Sequence, residues 1–586
     1  MSEGRLWLAR LKAITVRKLW WHFLDTWEAK RWFRRTLYSL LTVGVLGLAV
    51  WFFAYPQWLR HNALKMARDW INAGKLQNAA QMVQKANELM PDRPEPWQLA
   101  AEIARLGGQK TMAIRYARRA AKLAPDNPMV TLQWAEEALL GDDNEQAAEA
   151  LKDIPPEMLM NSAYALRLHG ELARRQLKLD EARAYFEKAV QFEGALAINE
   201  VPLGLILTRS NDQPTRQRGL SLLRKWTTDP AWGSDALRTL LRDAVTRNDL
   251  AAMRQWGETL RTHPGCQVGD MPDCLQALAL SDAAKYRKVL AGLEEDHAVS
   301  PQAAAQLLGW LNQIGRYEDA VNWLETLPAA PLQKPPLAVL VAEALRATGN
   351  WQKLADRTST QAWGDEFEFL RWAYGLQAAR ALGQTETARQ FWLTLYAHCQ
   401  INHVHALFAA GTLYGWGQFA DAEAIWWQTA ERPGKAAFEA LGALARHYQV
   451  RRDADGQYRV FRELYFSRPG DAAIANNFAF FALLTNRDQR LADKITRENL
   501  MREPDQVAYA ATRAFALLTS DHVSTAHALM APLANRTKKS SAVTFVYGLI
   551  QAKLGNLDEA RTLLHSLPPG TLTLREMDLI KAELGE

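Results

Sequence analysis

The amino-acid sequence predicts an all-α fold, a solenoid of stacked helical hairpins preceded by one transmembrane helix. The triplets Ala79, Ala86, Pro91 and Ala113, Ala120, Pro125 share one internal spacing and lie thirty-four positions apart, a period that suits a pair of antiparallel helices. Residues 36–59 contain no charged side chain over 24 positions, enough to cross a bilayer at roughly 1.5 Å rise per residue. The 586 residues exceed a single hydrophobic core, which stops growing near about 250–300 residues. A hairpin array escapes that limit because each repeat touches only its neighbours.

Residues 1–35 form a basic leader. Arg5, Arg10, Lys12, Arg17, Lys18, Lys30, Arg31, Arg34 and Arg35 are interleaved with Leu6, Trp7, Leu11, Ile14, Leu19, Trp20, Phe23, Leu24 and Trp27. Such an amphipathic mixture suits a helix in the headgroup region, a docking element or a simple determinant of topology. In the span itself, Trp32, Phe33 and Tyr38 lie at one end and Trp51, Phe52, Phe53, Tyr55 and Trp58 at the other, as in an aromatic belt. The alternative is a buried core helix. The leader carries nine basic residues, against Arg60, Lys65, Arg68 and Lys75 just after the span, so the amino terminus is expected in the cytoplasm. In a Gram-negative host everything after residue 60 then faces the periplasm from the inner (cytoplasmic) membrane. The apolar stretch is too long for a cleaved signal peptide. A net charge of +6, from 70 basic and 64 acidic residues, gives no reason to expect nucleic acid as a partner.

The repeats read as follows. Trp70, Gly74, Leu76, Ala79, Val83, Ala86 and Pro91 mark a first hairpin, and Trp97, Gly108, Ala113, Ala117, Ala120 and Pro125 a second. Trp134, Ala135, Ala138 and Ala147 mark a third, running into Pro155 and Pro156. Gly170, Ala173, Leu179, Ala182, Phe186 and Ala189 mark a fourth. Alanine on a second helix permits close crossing, and proline ends that helix because it cannot continue the hydrogen-bond ladder. Residues 60–194 are thus an amino-terminal block of repeats. Residues 195–370 fit only degenerate helix pairs, although Ala252, Trp256 and Pro264 suit one unit and Gly315, Tyr317, Ala320 and Leu324 another. Pro328, Pro331, Pro335 and Pro336 suggest a bend or subdomain boundary. The register returns over 371–586, in Gly383, Ala388 and Trp392, in Gly417, Phe419, Ala422 and Trp426, and in Ala492, Ala526 and Ala560, again thirty-four apart. Residues 572–584 read as a solvent-facing cap helix.

These residues resemble the tetratricopeptide repeat (TPR) superfamily over nearly all of residues 62–586, and the chain is similar to bacterial single-pass membrane-anchored TPR proteins. The resemblance implies a concave surface that presents partner peptides or neighbouring subunits. The CxxC pairs of one anchored group, the lipopolysaccharide regulators, are missing, and so is the second transmembrane helix of a group linked to haem synthesis. In a peptide-binding array the groove is lined by polar positions on the first helix of each hairpin. In the second and fourth hairpins these are Gln98, Glu102, Arg105, Arg167, Glu171 and Arg174. Mixed charge of this kind also describes a solvated face.

Other chemistry is sparse. Cys266 and Cys274, in the loop PGCQVGDMPDC, form a disulfide in an oxidising periplasm or remain two thiols; no second pair follows to make a zinc site. His398, Cys399, His403 and His405 gather near one turn, either as a polar turn with a buried cysteine or as a metal site in a spacing outside known motifs. Glu294, Glu295 and Asp296 read as a solvated helix end. The sequence lacks G-x-S-x-G, Walker A and H-E-x-x-H patterns, which argues against an enzyme, and no cofactor is expected. Of the 22 tryptophans, Trp70, Trp97, Trp256, Trp372, Trp392 and Trp426 fall on core-facing repeat positions. Trp363, Trp416 and Trp427 remain candidates for a ligand surface. The expected function is a membrane-anchored scaffold for protein–protein assembly in the cell envelope. The alternative is an accessory protein of polysaccharide or protein export that binds carbohydrate through exposed aromatics.

Overall fold

The computed structural model describes residues 18, 21, 37–45, 55–329, 331–533, 540–568 and 570–585. The expected leader lies outside them apart from residues 18 and 21, and so do residues 36 and 46–54 of the expected span. Residues 37–45 are helical, with Tyr38, Leu40, Leu41, Val43 and Val45 exposed. Among the described residues no helix is long and apolar enough to cross a membrane. Residues 55–59 open the helix Tyr55–Asn72, and Leu59 packs with Ala63 and Ala86. The first hairpin therefore begins before residue 60.

Every regular element among the described residues is helical. Successive hairpins pair Tyr55–Asn72 with Leu76–Leu89, Pro94–Leu106 with Lys110–Leu123, Pro128–Leu140 with Asn144–Lys152, and Ala163–Arg175 with Leu179–Glu193. The pairing continues through the stretch read as degenerate, in Ala197–Leu207 with Gln213–Lys225 and Gly233–Thr246 with Leu250–Thr262. Helices pack mainly on their sequence neighbours, as a repeat array requires.

The most regular feature is the turn inside most hairpins, where one residue takes a left-handed conformation: Gly74 at φ 71°, Gly108 at 73°, Asp142 at 65°, Leu177 at 61° and Asn248 at 54°. At Gly108 the Gly108 N–H donates to the Arg105 carbonyl at 3.0 Å and the Gln109 N–H to the Ala104 carbonyl at 2.8 Å. These two bonds satisfy carbonyls that the helix end would otherwise orphan. The alanines singled out by period, Ala79, Ala86, Ala113, Ala120, Ala182, Ala189, Ala492, Ala526 and Ala560, are all buried. The prolines at 91 and 125 follow helices that end at Leu89 and Leu123. Where a larger side chain faces the partner helix, glycine makes room: a Cβ on Gly170 would sit 2.9 Å from the Phe186 ring.

Packing divides the chain into two units, Met1–Arg287 and Lys288–Glu586. The first unit's hairpins carry a succession of small cores, one around Leu132, Trp134 and Ala147 and another around Phe186, Leu203 and Leu207. In the second unit, one core gathers around Leu395, Leu413 and Trp426 and a larger one around Phe478, Phe515 and Phe545. The prolines of 328–336 lie inside this unit and mark no division of the chain, because Leu332 is buried there and Leu337–Ala347 continues the array. The final helix, Leu574–Leu584, does more than cap the array. It packs on Ser541–Lys553 and Leu557–His565, and its amino-terminal end reaches back to Arg452.

Candidate functional site

In the first unit the first helices of consecutive hairpins lie side by side and line three adjoining cavities. Gln98, Glu102 and Arg105 occupy one face of Pro94–Leu106, and Arg167, Glu171 and Arg174 the same face of Ala163–Arg175, because residues four and three apart align on a helix. The first trio lines a cavity of about 350 Å³ together with Gln133, Glu136 and Glu137 of the next hairpin. The second lines a cavity of about 420 Å³ whose apolar surface comes from Leu139, Leu168, Phe186, Pro202, Leu205 and Trp232. A third, of about 350 Å³, is lined by Arg174, Arg209, Arg216, Arg238 and Arg242, with Asp235 and Asp243. Glu136 borders the first and second, and Arg174, Leu205 and Asp235 border the second and third. All six residues expected in a groove thus lie along one continuous surface.

Most of its charges are paired, some within a hairpin and some across to the next. Arg105 meets Glu137 at 3.0 Å, Arg167 pairs with Glu193, and Tyr164 donates to Glu136 at 2.7 Å. Arg174 and Arg175 converge on Glu171 at 2.7 and 2.8 Å. Burial works against the Glu171 carboxylate, yet the hydrogen bonds and charges of these arginines outweigh it and hold its pKa below the usual value. At Glu137 the balance reverses: burial, helped by Glu136 and Glu102, raises the pKa despite Arg105. Arg238 donates to both Asp270 oxygens, at 2.7 and 2.9 Å, and also pairs with Asp235. Arg216 and Arg247 share Asp243. Arg209 and Arg242 are exposed and make no ion pair among the described residues, which leaves this end of the groove cationic. Sequence reasoning missed this end. The signal was present in Asp235, Thr239 and Arg242, which repeat the spacing of the two expected trios and line this cavity.

The remaining candidates fall elsewhere. Cys266 and Cys274 stand unbridged in this structure. Arg238 also donates to the Gly265 carbonyl at 3.1 Å, fixing the loop. Cys274 faces the core of Leu237, Leu241 and Leu260. Burial, with Cys266 adding to it, pushes its thiol up to about 12. His398 Nε2 and His405 Nδ1 stand 2.8 Å apart, and His405 stacks on Phe369. Burial first, and then His405, lowers the His398 pKa. Cys399 is fully buried. Among the described residues no three or more possible metal ligands gather. Trp363 is buried; Trp416 lies under the Arg346 guanidinium and Trp427 under that of Arg459. All three are therefore engaged in packing.

Each unit is an array of stacked helical hairpins. No family model matches the chain, and no curated protein matches it in sequence. Among solved structures it is similar to PilF of Pseudomonas aeruginosa, with 17% identity over 36% of this chain and 94% of PilF and a TM-score of 0.31. YrrB, described as a TPR protein with an unusual peptide-binding site, shows 17% identity over 30% of this chain and 89% of YrrB, with a TM-score of 0.25. Cut9–Hcn1 of the APC/C shows 13% identity over 81% of this chain and 99% of the matched chain, with a TM-score of 0.28.

Proposed function

We propose that the chain is a non-catalytic scaffold that holds a partner polypeptide in the groove of its first unit, anchored in the inner membrane through the apolar stretch that precedes its first hairpin, with the array in the periplasm. The observation that supports this best is the continuity of the groove across the six polar positions Gln98, Glu102, Arg105, Arg167, Glu171 and Arg174. The apolar stretch around Leu168, Phe186 and Leu205 suits aliphatic or aromatic side chains of a peptide. Arg209 and Arg242 then call for acidic residues in the same segment. Paired charges such as Arg174 with Glu171 keep the wall rigid and give register.

The test is site-specific photo-crosslinking in the native host, with the reactive residue placed at Gln98 or Thr239 in the groove and at exposed Glu181 outside it. The reading predicts one crosslinked product from the groove positions, lost in the R209E/R242E variant. Equal crosslinking from Glu181, or an unchanged product in the charge-reversed variant, would remove the groove from the function.

A further inference from the structure

The second unit contains a groove of different chemistry. First helices Lys435–Arg451, Ala472–Leu484, Val507–Thr519 and Ser541–Lys553 border a cavity of about 390 Å³. Where the first unit presents arginines and carboxylates, this cavity presents amides and aromatic rings, among them Gln457, Asn476, Asn477, Phe480 and Phe481. Arg446 and Glu576 are its charged lining residues. Asn476 is 8% exposed and Gln457 5% exposed, and each has a side-chain oxygen with no hydrogen-bond partner. Buried acceptors without donors are costly.

One wall of this cavity is the chain's own C-terminal segment, through Thr571, Leu572, Thr573 and Glu576. The segment is held by a residue 120 positions earlier: Arg452 Nε donates to the Leu572 carbonyl at 2.7 Å, and the Leu574 N–H donates to the Arg452 carbonyl at 3.0 Å. Arg575 pairs with Asp455 at 2.9 Å, and Lys553 with Glu583 at 2.7 Å. Thr573 and Glu576 form a reciprocal capping box at the start of Leu574–Leu584, and Ile580 and Leu584 are buried against the unit's core. The fit is incomplete, since the acceptors of Asn476 and Gln457 stay unmet.

We infer that this groove is a docking surface for a capped amphipathic helix carried by a partner protein, and that residues 571–576, which wall it, and the helix they open stand in that helix's place in cis until it displaces them. The seated segment defines the partner's chemistry: Ser or Thr at the N-cap, Glu three residues on, and two apolar residues four apart in the last turns. Its polar anchors are hydrogen bonds to one arginine and partly exposed ion pairs, which contribute little to holding it closed. The incoming helix competes against a tethered one at an effective concentration on the order of millimolar. The unmet oxygens of Asn476 and Gln457 favour an occupant that brings donors. None of this depends on what fills the first unit's groove.

The test uses the full-length chain in detergent and a fluorescein-labelled peptide of residues 568–586 as probe. The variant I580D/L584D weakens the resident segment and leaves the groove intact. It should bind the probe at least tenfold more tightly than the unaltered chain. Equal affinities, or no binding to either, overturn the inference. Hydrogen exchange on the unaltered chain guards against a misfolded variant: residues 574–584 should exchange well before Ser541–Lys553 beneath them. Exchange of both at one rate identifies a fixed cap and also overturns it. Light scattering that shows a dimer dissolved by the probe would instead assign the groove to the segment of a second copy.

Discussion

Leu177 is three-quarters exposed yet holds φ at 61°, a conformation that costs an L-residue about 1–2 kcal/mol. Glycine removes that cost and returns about 0.5–1 kcal/mol through the unfolded chain. Leu177→Gly should therefore raise stability by about 0.5 kcal/mol, read as a shift in the denaturant midpoint. Gly170 is the opposite case, because a side chain there meets Phe186. Gly170→Val should destabilise by about 1–3 kcal/mol through overpacking, measured in the same titration. The contrast explains what the sequence made visible. Gly74, Gly108 and Gly417 announce their turns, and Asp142 and Asn248 hint at theirs because Asp and Asn tolerate the left-handed region, whereas Leu177 and Arg452 hold the equivalent position with nothing in their identity to mark it.

At the level of elements, the final helix carries a titratable device. Burial raises the Glu576 pKa, while Thr573 and Arg452 pull it down by less. The docked segment is thus favoured at low pH and loosens as pH rises from the ordinary carboxyl value to that raised one, since the unfolded carboxyl ionises first. Hydrogen exchange of residues 574–584, corrected for intrinsic rate, should show faster opening at pH 8 than at pH 5. Glu576→Gln should flatten the difference, and a dependence that survives in that variant would place its source elsewhere. The loop of Cys266 and Cys274 offers a second check. With Cys274 buried and its pKa near 12, alkylation at pH 8 should be slow, and Arg238→Ala should accelerate it by freeing the loop from Asp270 and Gly265. The sequence showed the cap helix and the two cysteines, but not what holds either in place. The period located the helices, but the return of Leu572 to Arg452 joins positions that no repeat pattern relates.

For the whole molecule, topology has a direct readout. If the span and its flanking charges orient the chain as proposed, protease added to intact spheroplasts should digest the region after residue 60. Protection would put the array in the cytoplasm. Unfolding should also be stepwise, because packing runs between neighbouring helices and cooperativity in such arrays decays with distance. A denaturant titration followed by both helicity and tryptophan emission should give curves that do not superimpose. The sequence conveyed the architecture well, since thirty-four-residue spacing of Ala79 with Ala113 and of Ala492 with Ala526 is imposed by packing. Partner chemistry was harder to read, because polar groove positions look like any solvated face until neighbouring helices bring them together.

The closure at Arg452 also has a mechanical meaning. An open stack of hairpins stretches under load like a spring, each joint giving a little. In the second unit the segment after Leu572 is buckled onto residue 452, so tension applied at the carboxyl terminus peels that short segment away before it reaches the hairpins behind it. A pull there would therefore act first as a release and only afterwards as an extension.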